Sequence, residues 1–147
     1  PELREILKRT TGAEIPDAGR VLPDDNGDLV NAMKQLLRQV MIAPPIEDYV
    51  VRLVHATQAD GQNGGTAKAS VKQYIRFGSS PRGAQAIILG AKGNALVEGR
   101  VHVSYEDVEK ITLAALRHRL ILNFQAEAEN ITADQVIGEV MKQVPRQ

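Results

Sequence analysis

Apolar residues return along this chain at helical spacing almost from its first position. Leu3, Ile6 and Leu7 stand at i, i+3 and i+4, the signature of one helix face. Residues 10–28 then break the pattern, with Gly12, Pro16, Gly19, Pro23 and Gly27 set among acidic residues that include Asp24 and Asp25. That composition predicts a linker or a functional loop. Leu29, Met33, Leu36, Leu37 and Val40 restore the helical stripe. Pro44 and Pro45 end it, because the residue before a proline is pushed out of helical conformation. A further stripe follows at Ile46, Tyr49, Val50, Leu53, Val54 and Thr57. The break between these two helices is short, so they are expected to pair antiparallel.

Residues 59–70 carry Gly61, Gly64 and Gly65 among small polar residues and read as a flexible loop. From Val71 to Phe77 the pattern alternates, which predicts a short strand. The longest helix is expected over 80–99, with Ala84, Ile87, Ile88, Ala91 and Ala95 on one face. Gly90 and Gly93 lie inside it, each costing about 1 kcal/mol relative to alanine, and their small surface suits close helix packing. Val101–Val103 reads as extended. Ser104-Tyr105-Glu106-Asp107 opens a helix as a capping box with aspartate in place of glutamate. Its stripe is Val108, Ile111, Thr112, Ala115 and Leu116. Arg117, His118 and Arg119 suit the negative end of its dipole. Residues 120–124 are apolar but not clearly helical. Thr132 and Gln135 cap a last helix, with Val136, Ile137, Val140, Met141 and Val144 inward and Pro145 after it. The expectation is a mainly α protein, a small helical bundle with short extended segments near 71–77 and 101–103.

Composition narrows the function classes. The 147 residues suffice for one real core. Lys+Arg and Asp+Glu are both 18, and a balanced charge argues against binding nucleic acid or a membrane surface by bulk electrostatics. Aromatics are only 3%, too few for a base-stacking platform. The absence of cysteine excludes disulfides and thiolate metal sites and suits a reducing, cytoplasmic setting. No apolar run is long enough to span a membrane. His55, His102 and His118 stand far apart, without the spacing of a metal pair, and read as surface or capping residues. No G-x-x-x-x-G-K-[ST] and no G-x-S-x-G occurs, and Ser104 is better explained as a cap than as a nucleophile. A proline at position 1 reads as the start of a piece cut from a longer chain, so the fragment alone is not expected to be an enzyme.

The stretch with candidate chemistry is Gly78-Ser79-Ser80-Pro81-Arg82-Gly83. Ser80 is expected to be the N-cap, its hydroxyl accepting from a first-turn amide. Pro81 is then the first helical residue, where its missing N–H costs nothing. Arg82 falls in the first turn, where the dipole is already positive. Free amides, dipole and guanidinium together favour an anion, phosphate above all. An ordinary capped helix with a solvated arginine fits the same spacing. Arg76 and Arg100 read as surface residues.

With those residues at a helix start, the chain resembles the C-terminal lid domain of a MoxR-type AAA+ ATPase. That family's lid typically carries Gly-Ala-Ser-Pro-Arg-Ala where this chain has Gly78 to Gly83. It also has a Leu-Arg-His-Arg-Leu segment, present as Leu116 to Leu120. The Val103–Val108 helix start, the Tyr49–Val54 helix and the Glu2–Leu7 segment are similar as well. Gly83 in place of alanine is expected to loosen the helix start. The resemblance implies residues 1–9 as a helix leaving an ATPase core absent from this chain, 10–28 as linker or loop, and 29–147 as the lid. It implies a lid closing over ATP and Mg²⁺ held by that core, in a chaperone-like ATPase that matures protein complexes. Arg82 then matches the sensor 2 arginine that reads the γ-phosphate, with Ser80 and Pro81 beside it at the nucleotide. Implied partners are the core, neighbouring subunits of a hexameric ring and a von Willebrand factor A-domain protein. The alternative is a free-standing helical protein-interaction module.

Overall fold

Seven helices and two short strands occupy the described residues of the computed structural model, which are 2–11, 26–58 and 73–146. The chain divides into two units, residues 1–33 and 34–147. In the first, α1 spans Glu2–Thr11 and α2 (Asn26–Gln39) begins. Both ends of the expected 10–28 linker are therefore helical. The remainder of it, like the expected loop over 59–70, lies outside the described residues.

In the second unit α3 spans Pro44–Ala56. Strand β1 (Ile75–Phe77) leads to α4 (Pro81–Val97), and α5 spans Tyr105–Leu116. Strand β2 (Ile121–Leu122), α6 (Phe124–Ala128) and α7 (Ala133–Gln143) follow. The core sits where α4 packs against α3 and α5, and where α7 covers α3 and α5. Tyr49, Leu53, Ile87, Leu116 and Ile137 are fully buried there. The stripes expected for α3, α4, α5 and α7 supply these residues. Gly90 is what lets α4 and α5 come this close: a Cβ there would lie 2.5 Å from Ile111 Cγ2.

Both capping boxes form. Ser104 Oγ accepts from the Asp107 amide while Asp107 Oδ2 accepts from the Ser104 amide at 2.8 Å. Thr132 and Gln135 do the same at α7. Arg119 donates to the Ala115 carbonyl at 3.0 Å, and Arg117 instead holds Asp134 at the start of α7, at 2.7 Å. Both are uses for the cations expected at the end of α5.

The extended segments are short. β1 and β2 pair antiparallel, Ile75 opposite Leu122 and Phe77 opposite Ile121, with a shift of register between the two pairs. That irregularity breaks the expected alternation. Ile75 is buried but Phe77 is 57% exposed. The Val101–Val103 segment bridges Met41 in parallel. Met41 donates to the Val101 carbonyl and Val103 donates to the Met41 carbonyl, each at 3.0 Å.

Every residue of α2 from Gly27 to Leu36 is exposed, and Leu37 near its end is half-buried. The apolar stripe expected for α2 is present in the helix. Residues 120–124, read as apolar and not clearly helical, hold β2 and only the first residue of α6, which starts because Asn123 Oδ1 accepts from the Ala126 amide at 3.1 Å. Arg100, read as a surface residue, is a structural hub described below.

Candidate functional site

Gly78 to Gly83 forms the connection from β1 into α4, and its geometry starts at the far end of α3. Thr57 follows the last turn of α3 and is fully buried. Its hydroxyl donates to the Val54 carbonyl at 2.7 Å and accepts the Ser79 amide at 3.0 Å. Gly78 lies flat against this end of α3: a Cβ at 78 would stand 2.3 Å from the Thr57 carbonyl oxygen. No side chain fits there, which is why glycine occupies the position.

Ser80 is the N-cap residue by backbone conformation, with φ −77° and ψ 172°. Its hydroxyl makes no capping hydrogen bond, contrary to the expectation. The other serine, Ser79, is the buried one, and its Oγ donates to the Ser80 carbonyl at 3.3 Å. Pro81 is the first helical residue, as expected. Gly83 has a packing role at the helix start. A Cβ there would sit 1.9 Å from Ser79 Oγ and 3.1 Å from Leu116 Cδ2. Glycine at 83 is what makes room for serine at 79, a pairwise fit that no single position reveals.

The helix start so held is unlike the others in charge. α2, α3, α5, α6 and α7 each carry an acidic residue in the first turn, and α4 carries none. Arg82 is exposed and makes no side-chain hydrogen bond or ion pair with any described residue. A fixed cation, an uncapped helix start and no competing carboxylate together suit an anion. Beside them, a small groove of about 130 Å³ is lined by Val51, Val54, His55, Gln58, Pro81 and Ala84. His55 Nδ1 is buried at its wall without a hydrogen-bond partner among the described residues. His102 and His118 are exposed. Among the described residues no group of His, Asp and Glu is placed to hold a metal ion.

The opposite end of α4 shows what an occupied arginine looks like. Arg100 grips the fully buried Asp107 with both arms, at 2.7 and 2.6 Å, and Glu98 at 2.6 Å. Asn94 adds a hydrogen bond to Asp107 at 2.5 Å. The Arg100 fork holds the Asp107 carboxyl well below its ordinary range, against the opposing effect of burial. Lys110, then Arg100, bring Glu98 down to about 2. Periodicity could not reveal this network. The one legible signal was Asp107 in its capping box.

No described helix is long and apolar enough to cross a membrane. Comparison with known proteins covers nearly the whole chain. The family model "AAA lid domain" matches residues 67–140. The chaperone MoxR1 of Mycobacterium tuberculosis is 37% identical over 143 residues, 97% of this chain and 36% of MoxR1. The uncharacterized protein YeaC of Bacillus subtilis is 26% identical over 112 residues, 76% of this chain and 31% of YeaC. A presumed ATPase from Cytophaga hutchinsonii, known as a crystal structure, superposes with a TM-score of 0.72 at 28% identity. It covers 97% of this chain and 42% of that one. The chain thus spans well under half the length of these relatives.

Proposed function

The chain belongs to the AAA lid domain family, in its MoxR-type branch, and from that premise we propose that it closes over ATP bound by a core domain outside this chain and reads the terminal phosphate through Arg82. One observation carries the reading. Arg82 is a cation without a partner among the described residues, on a helix start that has neither a side-chain cap nor a first-turn acid. ATP with its Mg²⁺ supplies the phosphoryl group and the charge to be stabilised. A guanidinium meets that charge with a planar fork and stays protonated throughout. Pro81 fixes the backbone just before Arg82, and Gly78 and Ser79 anchor the connection to α3. The arginine is therefore carried on a rigid element, and closing the lid couples its position to the presence of the terminal phosphate. The groove beside Pro81 offers mostly apolar walls to the rest of the nucleotide.

The parent is a chaperone-like ATPase that matures protein complexes, a reading in keeping with the chaperone name of the MoxR1 relative. It works in the cytoplasm as a hexameric ring, with a von Willebrand factor A-domain protein as partner. The test is ATP turnover by the full-length protein carrying this lid. Arg82→Ala is expected to lose on the order of 10³-fold, and Arg82→Lys, which keeps charge but not fork, to fall in between. Arg76→Ala serves as control, because Arg76 is exposed and stacks only on the Phe77 ring. Arg100 is unsuited to that purpose. Wild-type turnover by a folded, assembled Arg82→Ala protein overturns the reading.

A further inference from the structure

We propose that Thr57 is the positioning residue for Arg82. The proposal rests on the phosphate-reading role of Arg82 and adds the group that sets its orientation. Thr57 is fully buried, and its hydroxyl is used on both sides. It gives its proton to the Val54 carbonyl at 2.7 Å and takes the Ser79 N–H at 3.0 Å. The Val54 carbonyl belongs to the last turn of α3, and the Ser79 amide is three residues before Arg82. One hydroxyl therefore splices the end of α3 to the entry of α4. The same splice is packed without slack: Gly78 leaves no room for a Cβ against the Thr57 carbonyl, and Gly83 leaves none against Ser79 Oγ. From Ser79 onward little freedom remains, because Pro81 has a fixed φ and Arg82 is already helical. A tilt of α3 is thus delivered to the guanidinium through Thr57.

Without the hydroxyl, the Ser79 amide has no acceptor in a buried place and the connection must shift to find one. Arg82 itself would be intact but displaced. A misplacement of this kind lowers the chemical step and leaves ground-state binding of ATP nearly unchanged, since the chain reaches the phosphate chiefly in the closed state.

The experiment uses the full-length protein carrying this lid and compares Thr57→Val, Thr57→Ala, Thr57→Ser, Arg82→Ala and the Thr57→Val/Arg82→Ala double variant. Turnover is measured against ATP concentration, and assembly by sedimentation. Thr57→Val is expected to lower kcat about tenfold to a hundredfold with KM little changed, while Thr57→Ser, which restores the hydroxyl, stays within about twofold of wild type. In the Arg82→Ala background Thr57→Val is expected to cost nothing further, because a positioning residue has nothing left to position. A full rate for Thr57→Val, or losses that multiply in the double variant, overturns the Thr57 proposal while the Arg82 role stands. A full rate for Arg82→Ala overturns both. If Thr57→Val does not assemble, Thr57→Ala carries the same comparison; failure of both assigns Thr57 to the fold alone and also overturns the proposal.

Discussion

Arg82 and Arg100 lie eighteen positions apart at the two ends of one helix, and their surroundings assign them opposite duties. Arg100 neutralises a carboxylate that has no access to water, so removing it leaves Asp107 buried and unpaired. Arg100→Met is expected to lower the midpoint of denaturant unfolding, because it leaves the buried Asp107 carboxylate without its partner. Acid should act on the same network. Asp107 and Glu98 both have folded values below their ordinary ones, so their contribution is present above those ordinary values and is lost as pH falls toward the folded ones. The melting temperature is expected to hold from pH 7 to about 5 and to drop below about 4.5, where unfolded carboxylates begin to take up protons. Asp107→Asn should start from lower stability and show a shallower acid limb; an unchanged limb would remove Asp107 from the explanation. At this scale the sequence was half legible. Spacing placed Ser80 at the N-cap and Asp107 in its box, because both depend on neighbours three residues away. It could not say that the Ser80 hydroxyl goes unused, since the local contest among Ser79, Gly83 and Thr57 is decided by a helix more than twenty residues earlier.

The two glycines inside α4 separate propensity from packing. A Cβ at 93 would meet only Leu37 Cδ1, at an ordinary 3.6 Å, whereas one at 90 would strike Ile111 at 2.5 Å. Gly93→Ala is expected to stabilise by about 0.5–1 kcal/mol, the helix-propensity gain. Gly90→Ala should destabilise by about 1–2 kcal/mol, because α5 must move away or Ile111 must leave its rotamer. Chemical denaturation of the two variants side by side checks both signs. The sequence showed two equivalent glycines on a small-residue helix. Which of them faces α5 is a property of the crossing. The same limit explains the other element-level differences. Periodicity found α2 and its apolar stripe. It marked β1 but not its partner, because the pairing of Ile75 with Leu122 spans a sequence distance over which no local pattern carries information.

For the whole chain, the exposed apolar residues of α1 (Leu3, Ile6, Leu7) and of the first part of α2 (Leu29, Val30, Met33) contrast with the closed core within residues 34–147. Apolar faces of this kind are usual where another domain docks. With no phosphate-binding loop motif in the sequence, the purified chain alone is expected to show no ATP hydrolysis above a buffer blank, and turnover that follows it through fractionation would contradict the lid reading. The tyrosines have a practical consequence. The chain has three and no tryptophan. Tyr49 donates to Glu109 at 3.3 Å and Tyr74 to Glu129 at 2.7 Å. A carboxylate at the phenol oxygen takes up its proton in the excited state and quenches emission. The folded chain should therefore be dim in ultraviolet fluorescence and brighten as it unfolds. Glu129→Gln should brighten it without unfolding, which gives lid stability an intrinsic optical readout free of any label.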